Sequence, residues 1–124
     1  MDLKKQLRNL YNDSSKHANY QNVPEFVRNA LGYSEKINED WRGDTARYNY
    51  ILQEIDVPMD SSVCDVGANT GFFTLSLAQA FDTCQFTAYE ANPRHREYIR
   101  LVIEYFKLHN VSVNENIINL DGID

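Results

Sequence analysis

No stretch of this chain holds the ~20 consecutive apolar residues that a bilayer-spanning helix needs. The first ten residues, M-D-L-K-K-Q-L-R-N-L, also lack the apolar run of a secretory leader. A cytoplasmic location follows as the expectation. Positive charge is scarce as well. Twelve Lys and Arg face 18 Asp and Glu, a net charge of −6 spread over both halves, which argues against a nucleic-acid surface and against a polybasic membrane anchor. There are only two cysteines, Cys64 and Cys84, with no C-x-x-C pair, and His17, His95 and His109 are scattered, so neither a zinc site nor a disulfide framework is expected. Both thiols are expected to be buried as small hydrophobes and all three histidines to be solvated. No lysine lies between Lys36 and Lys107, which removes the G-K-[ST] phosphate loop. With 124 residues the chain is expected to be one domain, large enough for a core but smaller than a complete nucleotide-binding sheet with its helices.

What is present falls into two parts. Leu3, Leu7, Leu10 and Tyr11 recur at helical spacing, a short amphipathic helix over residues 2–11, which the polar run from Asn12 then ends. Pro24 fits the first position of a second helix, Glu25 to Leu31, closed by Gly32. Asp44 offers an N-cap for Thr45 to Ile55, with Tyr48, Ile51, Leu52 and Ile55 as one apolar stripe. From Val63 the pattern becomes β-α-β-α-β: a strand into Asp65 and Val66, a helix from Thr70 to Phe81, a strand from Gln85 to Glu90, a helix from Asn92-Pro93 to His109 closed by Asn110, and a strand from Val111 toward Ile118. Such an order requires right-handed crossovers and a parallel sheet. The expected fold is therefore α/β: a partial Rossmann-like unit, half of a doubly wound parallel sheet of about three strands, preceded by N-terminal helices. Residues 1–60 are read as the N-terminal helical segment and 61–124 as the first half of a cofactor-binding domain. The first strand should be an exposed edge, shielded by the N-terminal helices or paired with another chain, and a homo-oligomer through that edge is the expected assembly.

The residues that bear on chemistry lie between Ser62 and Gly71, S-V-C-D-V-G-A-N-T-G. A strand that enters a helix through a glycine loop gathers backbone N–H groups and a positive dipole end where a polar ligand can approach. Glu90 follows Gly71 by 19 residues, near the spacing of an acid that binds ribose hydroxyls in dinucleotide folds. Asp65 points elsewhere. A carboxylate two residues before the first loop glycine repels a pyrophosphate and attracts an ammonium or sulfonium centre, and Asn69 stands where a dinucleotide loop wants a second glycine. These residues fit a cationic adenosine cofactor, S-adenosylmethionine, with an NAD-dependent oxidoreductase as the runner-up. The two acids are expected to face one hollow.

D-V-G-A-N-T-G-F from Asp65 to Phe72, followed by Y-E-A-N-P from Tyr89 to Pro93, resembles the first two motifs of class I S-adenosylmethionine-dependent methyltransferases. Within that class it looks most like the FkbM-like group, whose loop reads D-V-G-A-N-x-G and whose second strand ends E-P-N-P; here Ala91 replaces the first proline. The resemblance covers Val63 to Gly122 and implies roles by position. Asp65 would lie near the methionine ammonium; Gly67, Ala68, Asn69 and Gly71 would form the loop under the methionine and ribose; Glu90 would bind both ribose hydroxyls; Ala91 would lie on the adenine; and Asn116 and Ile117 would meet the adenine edge. Family members have a seven-stranded sheet and carry acceptor residues from a fourth strand onward, to which nothing here corresponds. The resemblance thus implies a truncated methyltransferase, inactive alone, for a small-molecule or sugar acceptor, with no assignable catalytic residue.

Each reading has a plainer alternative. Asp65 can serve as a strand-end carboxylate with structural hydrogen bonds, and Glu90 as a solvated strand terminus. Arg94, Arg96 and Arg100, interleaved with Glu97 and Glu104, read as a solvated helix face. Arg42 or Arg47, near Trp41, can reach a methionine carboxylate or simply pack. A non-catalytic adenosine-cofactor or interaction domain that assembles with another chain is the alternative of a different class.

Overall fold

The computed structural model describes residues 2–11, 21–32 and 43–115. The positions 12, 17, 36, 41, 42, 116–118 and 122 named above, with the expected adenine-edge pair Asn116 and Ile117 among them, lie outside the described residues. Helices α1 (Leu3–Tyr11), α2 (Glu25–Leu31) and α3 (Asp44–Glu54) precede an alternation of β1 (Ser62–Val66), α4 (Phe72–Ala80), β2 (Gln85–Tyr89), α5 (Pro93–Phe106) and β3 (Val111–Asn114). The sheet is parallel throughout in the order β1-β2-β3. The fold is the expected α/β half-sheet with helices before it.

Register sorts the strand side chains into two faces, because successive residues alternate. Val63, Phe86 and Val111 form one cross-strand row and Asp65, Ala88 and Val113 the next. These face the helices: Phe86, Ala88 and Val111 are buried in one core with Leu75 and Ala78 of α4 and Tyr98, Ile99, Leu101 and Val102 of α5. Leu3 and Leu7 of α1 and Val23 and Val27 around α2 extend that core. The rows on the opposite face, Cys64 with Thr87 and Ser112, and Val66 with Tyr89 and Asn114, are exposed or half-buried. That face is hydroxyl-rich, unlike the aliphatic strands of sheets buried on both sides. Cys64 is consequently exposed and only Cys84 is the buried thiol that was expected. β1 alternates between exposed and half-buried positions, as an edge strand does.

Several element ends differ from the periodicity reading, each for a local reason. Gly43, in the left-handed region at φ 62°, is the N-cap of α3, and Asp44 is its first helical residue, wholly buried, with Oδ2 accepting the Asn22 N–H at 2.9 Å. The apolar stripe on α3 is half exposed: Leu52 and Ile55 face solvent. Pro24 is the N-cap of α2 rather than its first residue. Helix α5 ends at Phe106 because Lys107 turns left-handed at φ 54°, which leaves His109 outside. Asn110, expected to close that helix, instead lies buried under α4. Its Nδ2 donates to the carbonyls of Ala78, Phe81 and Cys84 at 2.9, 3.1 and 3.1 Å, meeting C-terminal carbonyls that have no intrahelical donor.

Candidate functional site

The C-terminal ends of β1 and β2 are joined by the glycine loop. Gly67 and Ala68 both donate their N–H groups to the carbonyl of Tyr89, at 2.8 and 3.1 Å, so the loop is strapped to the last residue of β2. A turn closed by the Gly71 N–H on the Ala68 carbonyl, 3.0 Å, then delivers the chain into α4. Gly67, Asn69 and Gly71 all lie at positive φ, 71°, 55° and 83°. For Gly71 the requirement is double, since a Cβ there would come within 2.8 Å of Ile99 Cγ1. Over Gly67 a Cβ would meet nothing within 4 Å.

Strapping the loop to Tyr89 brings Glu90, one residue further, against the loop's centre. Its backbone N–H reaches the Asn114 carbonyl beside it, 3.2 Å. Glu90 Oε1 accepts the Asn69 N–H at 2.7 Å, and Oε2 accepts the Asn92 N–H at 2.9 Å. The carboxylate is thus fixed by two backbone donors, with the second lone pair on each oxygen still available. Arg96, expected on a solvated face, grips the same corner. Its Nη1 donates to the Glu90 and Ala91 carbonyls at 2.9 and 2.7 Å.

Asp65 projects to the helix side of β1, where the Thr74 hydroxyl donates to its Oδ2 at 2.6 Å. Burial pushes its carboxyl above the ordinary aspartate range, the Thr74 hydroxyl opposes that shift, and the Glu90 charge adds to it. Asp65 therefore feels the Glu90 charge. The two acids do not, however, face the one hollow that was expected: the hollow of about 260 Å³ that Asp65 lines lies against Ile51, Val63, Phe73, Thr74, Leu77 and Phe86, because Asp65 turns to the helix side of β1, and Glu90 is not among its walls.

Two of the sequence-read loop residues offer little surface to a ligand. Ala68 is wholly buried and Asn69 nearly so, whereas Ala91 is exposed. Yet Asn69 Oδ1 and Thr70 Oγ1 are buried with no hydrogen-bond partner in the described structure. His95, expected in solvent, is 7% exposed, and Asn69 Nδ2 donates to its Nδ1 at 3.2 Å. Gln21 is the larger surprise. Its Oε1 accepts the N–H of Phe72, the first residue of α4, at 2.9 Å. One N–H at the helix end that a phosphate would use is therefore occupied by a neutral amide. No spacing links residue 21 to the loop, so sequence pattern alone carried no sign of it. Arg47 is exposed on α3. Among the described residues no cluster of His, Cys, Asp and Glu is arranged to hold a metal ion, and no helix is long and apolar enough to cross a membrane.

No protein-family model matches the chain, and neither does any curated protein. Solved structures do. The chain is similar to coclaurine N-methyltransferase bound to N-methylheliamine and S-adenosylhomocysteine, at 20% identity and a TM-score of 0.58, over 98% of this chain and 32% of that one. It is similar to the N-terminal domain of EvdMO1 with S-adenosylhomocysteine bound, at 19% identity and a TM-score of 0.59, over 100% of this chain and 49% of that one. A third, precorrin-6y C5,15-methyltransferase from Geobacter metallireducens GS-15, aligns with 61% of the chain at 22% identity and a TM-score of 0.53. At these identities the likeness establishes the fold, a three-stranded part of the α/β methyltransferase sheet. The chain spans between about a third and a half of the length of these proteins.

Proposed function

We propose that this chain is the S-adenosylmethionine-binding part of a methyltransferase of the FkbM-like group, acting on a small-molecule or sugar acceptor. The observation that carries the reading is the Glu90 carboxylate, held against the centre of the glycine loop by the Asn69 N–H at 2.7 Å, with its charge felt at Asp65 on the strand before the loop. A carboxylate at Asp65 repels a pyrophosphate and favours an adenosine that bears an ammonium or sulfonium. Glu90, oriented by the Asn69 and Asn92 N–H groups, offers its remaining lone pairs to the ribose hydroxyls. Gly67 leaves open space above the loop. The partnerless Asn69 Oδ1 and Thr70 Oγ1 are polar groups that a bound ligand, or a loop adjustment on binding, would satisfy.

The cofactor would supply an electrophilic methyl on sulfur, transferred by in-line displacement, a step helped mainly by positioning. The three described strands provide the cofactor side of that arrangement. The acceptor side is assigned to structure outside them, and the polypeptide by itself is expected to bind the cofactor without turning it over. Gln21, by closing the α4 N–H to anions, disfavours the NAD-dependent alternative.

Calorimetric titration with S-adenosylhomocysteine and, separately, with NADH tests the reading. Binding of the first and not the second is expected, and Glu90→Ala should abolish it. A folded chain that ignores S-adenosylhomocysteine would falsify the proposal.

A further inference from the structure

His95 is the third residue of α5, and two groups of the loop corner converge on its imidazole. Asn69 Nδ2 donates to Nδ1 at 3.2 Å, and Glu90 Oε2 lies 3.6 Å from the same nitrogen. Asn69 is itself the residue whose N–H is held by Glu90 Oε1. Three segments are thus linked in a chain: helix imidazole to loop side-chain amide, and loop N–H to strand-end carboxylate. Asn69 sits at φ 55°, a left-handed conformation that asparagine adopts more readily than most non-glycine residues. Its backbone N–H is held by Glu90 and its side-chain amide by His95. His95 is enclosed, and nothing in the loop sequence refers to it.

We propose that His95 is a positioning residue for cofactor binding: its Nδ1 accepts the Asn69 side-chain amide and so holds the loop residue whose own N–H orients Glu90, the acid assigned to the ribose. The inference rests on the S-adenosylmethionine reading above. His95 does not touch the cofactor. It acts through Asn69, whose N–H holds Glu90 Oε1, so the contact it controls is the one to the ribose hydroxyls. An asparagine in its place presents an amide oxygen near the position of Nδ1 and can accept the Asn69 side-chain amide; a leucine cannot.

The test titrates wild type, His95→Leu and His95→Asn with S-adenosylhomocysteine and with its 2′-deoxyribose analogue. Loss of one buried hydrogen-bonded partner predicts about a tenfold weaker affinity of His95→Leu for S-adenosylhomocysteine. The deoxy analogue should lose less than about threefold, and His95→Asn should recover to within about threefold of wild type. Equal losses for both probes, or no loss, overturn the role assigned to His95. A wild type that binds neither probe overturns the cofactor reading instead. Should His95→Leu fail to fold, the His95 ring-nitrogen resonances of the wild type decide. Saturation with S-adenosylhomocysteine is expected to move them and leave those of His109 in place, and a stationary His95 signal rejects the proposal.

Discussion

Gln21 and Phe72, 51 positions apart, are joined by a buried hydrogen bond of 2.9 Å from the Phe72 N–H to the Gln21 Oε1. This bond ties the segment before α2 to the start of α4. The next residue continues the tie, since Asn22 donates its N–H to Asp44 on α3. The residues ahead of the sheet are thereby coupled to the glycine loop through its helix.

Gln21→Ala leaves the Phe72 N–H buried without its acceptor. A loss of about 1–3 kcal/mol in unfolding free energy is expected, read by urea denaturation. Gln21→Glu should restore the bond and add a favourable charge at a helix N-terminus, worth about 0.3–1 kcal/mol. A glutamate variant as weak as the alanine variant would show that the bond is incidental.

Glu90→Gln tests the fixed carboxylate. One oxygen becomes an NH2 group facing either the Asn69 or the Asn92 N–H, donor against donor. Affinity for S-adenosylhomocysteine should fall about tenfold or more, with a stability loss of about 1–3 kcal/mol. Unchanged affinity in a stable variant would remove Glu90 from the site.

Asp65 makes stability and binding respond to pH in opposite senses. Its carboxyl is shifted upward, chiefly by burial, so the folded chain holds this proton more tightly than the unfolded one. Its contribution to stability is complete below the unfolded aspartate value and is lost as pH rises through the folded one. Asp65→Asn, which can still accept the Thr74 hydroxyl, should be more stable than wild type at neutral pH, and the gap should close on acidification. Wild-type affinity for S-adenosylmethionine should rise across the same interval, as the carboxylate forms to meet the positive ligand. Melting temperatures and titrations at several pH values check both trends.

Gly71→Ala combines an unfavourable left-handed alanine, about 1–2 kcal/mol, with a Cβ placed 2.8 Å from Ile99 Cγ1. In an Ile99→Ala background the steric part should vanish while the backbone part persists. A double-mutant cycle by thermal denaturation separates them, and additivity would mean that α5 does not press on the loop.

The strand-loop-helix core was readable because each of its constraints is local. Glycines at 67 and 71 mark a turn, apolar residues at period 2 and 3.6 mark the elements, and the distance from Gly71 to Glu90 reflects one helix and one strand. Element ends were less legible: Asn110 has the composition of a helix stop, but the carbonyls of Ala78, Phe81 and Cys84, at the end of α4 and in the turn after it, claim its amide. The assignments of His95 and Arg96 to the surface and of Cys64 to the interior failed because burial is decided by what the chain folds against. A histidine in the first turn of α5 meets the loop, and an alternating strand turns Cys64 to the exposed face of the sheet. Gln21 was invisible for the same reason, since a contact across 51 residues leaves no period in the sequence.

The side of the sheet on which Cys64 and Ser112 are exposed offers a practical handle. Cys64 is its one thiol, flanked across the strands by Thr87 and Ser112, while Cys84 is enclosed beneath α4. A maleimide dye should attach at Cys64 alone without entering the interior. Two residues from Val66, where the strand gives way to the loop, such a fluorophore would report ligand arrival directly, with no engineered label site required.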